Sequence, residues 1–275
     1  MGAAMARSLS KFAAWAIIAL VVFLAVFPLY WTLISGFKDR VDIVTTTPVF
    51  IFKPTLDNFA YVFERDSVRG ALVNSIIITG SSVLIGAVLG LPAAYAVARY
   101  PMRFANDIQF FVLSLRFLPP VAVAIPLIVI WLDLGLYDSR IAMIATYSLL
   151  TLSTTIWLAI PAFKRVPREI EEAAVMDGYD PYSVFFLIAI PVAAKSLIGA
   201  IVFSFVLVWN EFLIALMLTT SDAKTLPIVA SELTQLGRDV PWGILNASVI
   251  LLSLPPLLFL GVLSRFLSSA LKTRS

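Results

Sequence analysis

Long apolar runs are the feature that most constrains the fold of this chain. The first run, 12–34, contains no charged side chain, and at about 1.5 Å of rise per residue a helix of that length crosses a hydrocarbon core of about 30 Å. Further apolar runs follow at 71–97, 108–132, 141–163, 193–218 and 244–263. The sequence therefore predicts an all-α membrane protein in which six transmembrane helices form a single domain over residues 1–275.

The composition agrees with a membrane protein and excludes several kinds of chemistry. Hydrophobic residues make up 60% of the chain and charged residues 13%, against about half and about a quarter in soluble domains. The absence of Cys and His removes thiol nucleophiles, imidazole bases and most transition-metal sites. We therefore predict no catalytic residue and no metal ligand. Because the Lys and Arg residues are scattered between apolar runs, we expect a lipid bilayer as partner and no nucleic acid.

The distribution of positive charge predicts the orientation in the membrane. With six spans both termini lie on one side, and the short loops on that side are the richer in Lys and Arg, among them Arg99, Arg103, Lys164, Arg165 and Arg168. By the positive-inside rule the termini and the segment 164–191 are cytoplasmic. A cleaved signal peptide is the alternative for the first run, but the run is too long for one and is followed by a poor cleavage site.

Polar residues inside the apolar runs are candidates for lining a solute pathway: Asn74, Arg116, Asn210 and Glu211. An ionisable side chain in hydrocarbon is costly, so it faces the bundle interior, a cavity or a partner chain. The run with Arg116 also contains Pro119-Pro120 and Pro126, which predicts a broken helix facing the pathway. The alternatives are a structural ion pair or snorkelling for Arg116 and helix–helix hydrogen bonds for the other three.

Small residues in the second run predict close helix packing. Gly86 and Gly90 form a GxxxG motif, which lets two helices approach closely in lipid. Packing within the chain is favoured here over specific dimerisation.

The segment 164–191 is the polar island between the fourth and fifth spans. Pro167 suits a first helical turn, and Glu169, Glu171 and Glu172 suit a helix N-terminus. Gly178 predicts the end of that helix. Asp180-Pro181 predicts the start of a second short helix through Leu187. These features favour a docking site for another protein and an interfacial hairpin joining two spans about equally.

The same segment resembles a known signature. Glu172-Ala173-Ala174, three residues, Gly178, nine residues and Ile188-Ala189-Ile190-Pro191 are similar to the EAA motif of ABC-importer permeases, E-A-A-x3-G-x9-I-x-L-P, with Ile190 in place of the usual Leu. Ala94-Tyr95-Ala96-Val97-Ala98-Arg99, Arg116-Phe117-Leu118-Pro119-Pro120 and Trp209-Asn210-Glu211-Phe212 resemble the carbohydrate-uptake branch, specifically its six-span maltose-system type. The C-terminal stretch 267–272 departs from the branch.

The resemblance implies a role for this segment and a set of partners. It implies that 164–191 contains a coupling helix that binds an ATPase subunit, through Glu171, Glu172, Ala173, Ala174, Asp177, Gly178, Ile188 and Pro191. It also implies a second related permease, two ATP-binding subunits, an extracytoplasmic solute-binding protein and a place in the cytoplasmic membrane of a bacterium or archaeon. The chain has no G-x-x-x-x-G-K-[ST] loop, so ATP and Mg²⁺ are expected on partner subunits and no cofactor on this chain.

Two other functions are compatible with a polytopic membrane protein. A stand-alone secondary transporter or channel would need its own ion-coupling residues, for which Arg116 and Glu211 are the intramembrane candidates. An intramembrane enzyme would need a serine–lysine dyad, and no Lys lies in the middle of a span. The expected function is therefore a permease subunit that carries a sugar, glycoside or polyol inward, with the identity of the cargo left open.

Overall fold

The computed structural model describes residues 2–233 and 241–272, and in these ranges it contains helices and no strand. Five helices are long: α1 (Gly2–Gly36), α4 (Asp66–Arg99), α7 (Arg140–Lys164), α10 (Ile190–Trp209) and α13 (Trp242–Lys272). The shorter helices are α2 (Arg40–Val44), α3 (Asp57–Phe63), α5 (Ala105–Ser114), α6 (Pro120–Asp133), α8 (Arg168–Met176), α9 (Pro181–Ser183), α11 (Leu213–Leu218) and α12 (Leu226–Leu233).

Five helical stretches among the described residues are long and apolar enough to cross a membrane: Ala13–Gly36, Asp66–Arg99, Arg140–Lys164, Pro181–Trp209 and Trp242–Leu263. A sixth crossing is formed if Ala105–Phe117 and Pro120–Asp133, which are bent by 89° relative to each other, count as one span. This agrees with the all-α class and the six predicted spans. Each helix extends at one or both ends beyond the apolar run that predicts it.

The third span is broken, as its prolines predict. Leu118 and Pro119 have ψ angles of 127°, which are extended rather than helical. Each of these residues precedes a proline, and the proline ring disfavours the helical conformation of the residue before it. The chain therefore leaves α5 through a 3-10 turn at Leu115–Phe117 and restarts as α6 in a new direction.

The fifth span differs from the prediction at both ends. The predicted run 193–218 is not one helix, since α10 ends at Trp209 and α11 begins at Leu213. At the other end, the predicted short helix after Asp180 is the first turn of this span, because α9 continues through a π-helical turn at Val184–Ala189 into α10. Pro191 follows that widened turn and has no N–H to donate to a preceding carbonyl.

The chain divides into two compact units, residues 1–66 with 230–253 and residues 67–229 with 254–275. In the first unit the Lys38 side chain is 1% exposed and its ammonium lies 4.2 Å from the centre of the Trp31 ring. The Asn58 amide donates to the carbonyls of Gly36 and Lys38 at 3.0 and 2.9 Å. Burial lowers the pKa of Lys38.

In the second unit α4 and α10 both pack against α7. The buried core at one end includes Ala94, Tyr95, Phe163, Phe185 and Leu197, and the core at the other end includes Ile78, Met143, Tyr147, Val208 and Leu218.

The GxxxG motif forms a close approach between α4 and α7. A Cβ added at Gly86 would lie 2.5 Å from Thr151 Oγ1, and one at Gly90 would lie 3.1 Å from Thr155. The Thr151 hydroxyl donates to the Ser82 carbonyl at 2.7 Å across this contact. The predicted packing of the motif within the chain is confirmed.

Candidate functional site

Residues at the two ends of helix α8 fix where it begins and where it ends. Pro167 stands at the N-cap with ψ 131°, one position before the predicted first turn, and Glu169 and Glu171 occupy the first turn, where the helix dipole favours acids. At the other end the N–H of Tyr179 donates to Ala174 at 3.1 Å and that of Gly178 to Val175 at 3.0 Å. This is a Schellman motif, and Gly178 has the φ of +90° that it requires.

Neighbouring residues of α8 face opposite environments. Glu171 and Ala174 are buried, whereas Glu172, Ala173, Val175 and Met176 are exposed. Successive helical positions point about 100° apart, so one turn presents both an inner and an outer face. The small-residue face expected at Ala173-Ala174 is therefore reduced to Ala173.

The carboxylate of Glu171 binds the end of α4. The Arg99 guanidinium donates to Glu171 Oε1 at 2.9 Å from Nε and 2.7 Å from Nη2, and the Tyr95 hydroxyl donates to Oε2 at 2.9 Å. The Arg99 and Glu171 side chains are 8% and 10% exposed. Glu171 therefore joins α8 to α4.

The outer face of α8 borders a groove. The groove has a volume of about 550 Å³, and its lining includes the Arg99–Glu171 pair with Tyr95 as well as Glu172, Val175 and Met176. Met176 is 87% exposed. An exposed carboxylate, Glu172, thus lies beside apolar side chains at the edge of the groove.

The second half of the segment holds the hairpin in place. The Asp180 carboxylate accepts from the Ser183 N–H at 2.9 Å, as the N-cap prediction requires. Hydrogen bonds from the Ser183 hydroxyl and from its N–H lower the pKa of Asp180. Ile188 and Pro191 are half-buried in the start of the fifth span. Of the predicted coupling residues, the structure brings Glu172, Ala173, Asp177 and Gly178 to the exposed part of the segment.

Arg116 and Glu211 line one cavity, although they are far apart in sequence. The cavity measures about 360 Å³, and Thr146 and Ser153 of α7 add hydroxyl groups to a wall that is otherwise mostly aliphatic. The Arg116 guanidinium also lies 5.8 Å from the Trp157 ring and 5.7 Å from the Phe203 ring, within cation–π range. The Arg116 guanidinium thus lies against aromatic rings and a cavity. This agrees with the prediction that a charged side chain in a span avoids the hydrocarbon, where it would be costly.

Glu211 lies at the break between α10 and α11. Its carboxylate accepts from the Ile214 and Ala215 N–H groups at 2.9 and 3.1 Å and from the Tyr147 hydroxyl at 2.8 Å. It therefore caps α11, which explains why the predicted span is interrupted. Asn210 is exposed and its amide donates to Val206 at 2.8 Å within its own helix end.

Asn74 belongs to a different cluster, which anchors residues 220–226. Its amide donates to the carbonyls of Asp222 and Lys224 at 2.8 and 2.9 Å, and Arg140 donates to its oxygen at 2.7 Å. Asn74 therefore makes hydrogen bonds between separate parts of the chain, which is the alternative predicted for it from the sequence. It does not line the cavity of Arg116.

Asp138 completes this anchor from the loop before α7. Its carboxylate accepts from the backbone N–H groups of Thr220, Ser221, Asp222 and Ala223 at 2.9 to 3.1 Å. Hydrogen bonds from Thr220, Asp222 and Ala223 hold the pKa of Asp138 well below its ordinary value, although burial acts in the opposite direction.

The sequence does not predict Tyr95, Arg99 or Asp138 as site residues. Tyr95 appears there only within the motif that ends the second span, Arg99 appears in that motif and among the cytoplasmic positive charges, and nothing local indicates that Glu171 is their partner. A basic residue at the end of one span and an acid in the first turn of a cytoplasmic helix are a usable signal, but sequence position alone does not tell Glu171 from Glu172.

Similarity to known proteins covers most of the chain. Residues 83–273 match the family described as binding-protein-dependent transport system inner membrane component. The chain is 33% identical over 258 residues to the probable ABC transporter permease protein y4oR of Sinorhizobium fredii, covering 94% of this chain and 91% of that protein. It is 31% identical over 254 residues to the trehalose transport system permease protein SugB of Mycobacterium tuberculosis, covering 91% and 92%.

The fold is also similar to that of a solved transporter. A chain from the crystal structure of a bacterial ABC transporter involved in the import of the acidic polysaccharide alginate superposes with a TM-score of 0.77, covering 95% of this chain and 97% of that chain at 17% identity. The likeness extends over nearly all of both chains.

Proposed function

The chain belongs to the binding-protein-dependent transport system inner membrane components, and from this membership we propose that it is one of two related permease subunits in an ATP-driven importer of a saccharide. A solute-binding protein outside the membrane delivers the cargo, and two ATPase subunits, which carry ATP and Mg²⁺, provide the energy. Similarity to a trehalose permease and to an alginate importer supports a saccharide and leaves its charge open.

The observation that carries the proposal is the two-faced helix α8. Its outer face offers Glu172, Ala173 and Met176 beside a groove of about 550 Å³, and we assign the ATPase contact to this face. Its inner face binds α4 through Glu171. The helix is therefore suited to receive a displacement from a partner and pass it to the spans.

Charge reversal at Glu172 tests the assignment. In Glu172→Lys the ATPase subunits are lost from the purified complex while the chain still inserts into the membrane, because the side chain is exposed and its replacement leaves the fold intact. Glu64→Lys is the matched control, since it makes the same charge change at an exposed residue of the loop placed outside. Full retention of the ATPases by the Glu172 variant would count against α8 as the docking site.

For the pathway we retain Arg116 and Glu211, because they line a cavity of about 360 Å³, which is within the usual size of a small-molecule site. Asn74 and Asn210 are left out because their amides bind backbone carbonyls of this chain. We expect Arg116→Gln to reduce cargo transport without loss of the ATPases.

The cargo is tested on the purified complex. ATP hydrolysis in nanodiscs is measured with the binding protein and either trehalose or an alginate oligosaccharide, so that a neutral and an acidic probe are compared. Stimulation by either supports a saccharide importer. A complex in which neither of these saccharides stimulates hydrolysis, although its binding protein is present, contradicts these two cargoes.

A further inference from the structure

We propose that Glu171, Arg99 and Tyr95 form a latch through which α8 and the adjoining end of α4 move as one body, so that Glu171 is a positioning residue for transport and Glu172, the exposed carboxylate of the two, meets the ATPase. The inference rests on the proposed function, because it assumes that an ATPase binds α8. It adds the route by which a movement of α8 reaches the second span.

The geometry of the latch resists rotation. Arg99 binds Glu171 Oε1 through Nε and Nη2 at 2.9 and 2.7 Å, and a planar guanidinium that binds a carboxylate through two nitrogens fixes both distance and orientation. The Tyr95 hydroxyl holds the other oxygen at 2.9 Å. A Lys at position 99 would supply a point charge without this directional hold.

Arg99 also secures the connection that precedes α8. Its Nη2 donates to the Val166 carbonyl at 2.8 Å, and Val166 lies in the turn between α7 and α8. The Arg99 side chain of α4 therefore binds both Glu171 in α8 and Val166 in the turn before α8. Displacement of α8 together with that turn away from α4 has to break both contacts.

Burial makes the latch costly to break. The Arg99 and Glu171 side chains are 8% and 10% exposed, beside the buried Tyr95, Phe163 and Phe185, at the wall of the groove. Separating two charges that are so largely buried leaves each without its partner. The pair therefore resists separation when α8 is displaced.

The test measures the distance between α8 and α4 in the assembled complex. Because the chain has no Cys, Glu169→Cys on α8 and Leu89→Cys on α4 accept spin labels at exposed positions, with the partner subunits made free of cysteine. We expect the same distance distribution without and with ATP. In Glu171→Gln the distribution shifts when ATP binds, because α8 follows the ATPase and α4 does not.

Further variants separate coupling from folding. Arg99→Gln together with Glu171→Gln gives no larger shift than either change alone, since the two side chains act as a unit. Tyr95→Phe, which removes one hydroxyl, gives a smaller shift in the same direction and is the test if Glu171→Gln does not fold. Glu171→Gln retains the ATPase subunits, whereas Glu172→Lys loses them.

The outcomes distinguish this latch from the proposed function. An ATP-dependent distance change in the wild-type complex, an unchanged distance in both Glu171→Gln and Tyr95→Phe, or loss of the ATPases from a folded Glu171→Gln chain overturns the latch. Failure of the wild-type chain to purify with ATPase subunits overturns the proposed function instead.

Discussion

The carboxylates of Glu171 and Glu172 are neighbours in sequence, and the fold gives them separate tasks. Glu171 is buried against Arg99 and Glu172 is exposed beside the groove. Removing one partner of a buried ion pair costs about 3–5 kcal/mol, whereas an exposed acid contributes little to stability. At the residue scale, therefore, we expect replacement of Glu171 to change the stability of the chain, and replacement of Glu172 to change the proposed binding of the ATPase.

Gly178 is required for its backbone conformation and not for space. Its φ is +90° and a Cβ there would meet nothing within 4 Å. We expect Gly178→Ala to lower the free energy of unfolding by about 1–2 kcal/mol, the cost of a left-handed residue with a Cβ. Gly178→Asn should lose less, since Asn tolerates that region. Thermal unfolding in detergent measures both, and equal stability of the Ala variant and the wild type would contradict the expectation.

Asp138 should stabilise the anchored loop at neutral pH. Because its pKa is lowered in the folded chain, its contribution is present above the unfolded pKa of about 3.9 and is lost as the pH falls through the folded pKa. We expect Asp138→Asn to cost about 2 kcal/mol at pH 7, since an amide group would face N–H donors.

The pH dependence of unfolding provides the check on Asp138. The stability difference between the wild type and Asp138→Asn should narrow below about pH 4. Asp133→Asn, at the exposed last residue of α6, is the control and should stay within about 0.5 kcal/mol of the wild type. If the stability difference between the wild type and Asp138→Asn widens at acid pH, the lowered pKa is not the source of the stabilisation by Asp138.

At the scale of elements, interruptions of the helices occur where individual residues provide other partners for the backbone. Pro119 and Pro120 turn the chain between α5 and α6. Glu211 offers its carboxylate to two N–H groups and so starts α11. Both breaks border the cavity of Arg116 and Glu211, where backbone that is not helical can face protein or water instead of lipid.

The contact between α4 and α7 depends on Gly86. A Cβ at this position would lie 2.5 Å from Thr151 Oγ1 and 2.9 Å from the Thr151 backbone carbon, so the two helices would have to separate. We expect Gly86→Ala to destabilise the chain by about 1–3 kcal/mol, as overpacking does. Unfolding in mixed micelles is the measurement.

Gly80→Ala is the matched control for this contact. Gly80 lies on the same helix, and a Cβ there meets nothing within 4 Å. This change should be neutral or stabilising by up to about 1 kcal/mol, because Ala is the better helix former. If both variants lose the same stability, close packing at Gly86 is not the cause.

At the scale of the whole molecule, orientation decides which surfaces can meet which partners. The ATPase contact proposed for α8 requires a cytoplasmic segment 164–191, and in the same orientation the loop 38–69 lies outside. The charge distribution across the short loops supports this orientation.

Cysteine labelling tests the orientation directly. Ile51 is 95% exposed and Met176 is 87% exposed, and the chain contains no Cys of its own. We expect Ile51→Cys to react with a membrane-impermeant maleimide in intact cells and Met176→Cys to react only after permeabilisation. Labelling of Met176→Cys in intact cells would reverse the orientation and remove the basis for ATPase docking at α8.

Many of the helices and their caps can be predicted from local sequence, because a lipid environment restricts the structures that an apolar segment can form. Apolar runs must form helices to satisfy their backbone, so the spans are predictable from length alone. The caps of the segment 164–191 are equally local, since Gly178 and Asp180 bind groups within a few residues of themselves. Prolines at 119 and 120 predict a break for the same reason.

The roles of the charged residues depend on contacts between distant parts of the chain. Arg99 and Glu171 are 72 positions apart, and Asn74 reaches a carbonyl 148 positions away. The sequence pattern does not indicate which acid faces inward or which amide binds a loop. A polar side chain is buried where the folded chain places a hydrogen-bond partner beside it, and that partner can be distant in sequence. Helix positions and caps are therefore encoded locally, whereas the difference between the buried Glu171 and the exposed Glu172 arises when the helices pack.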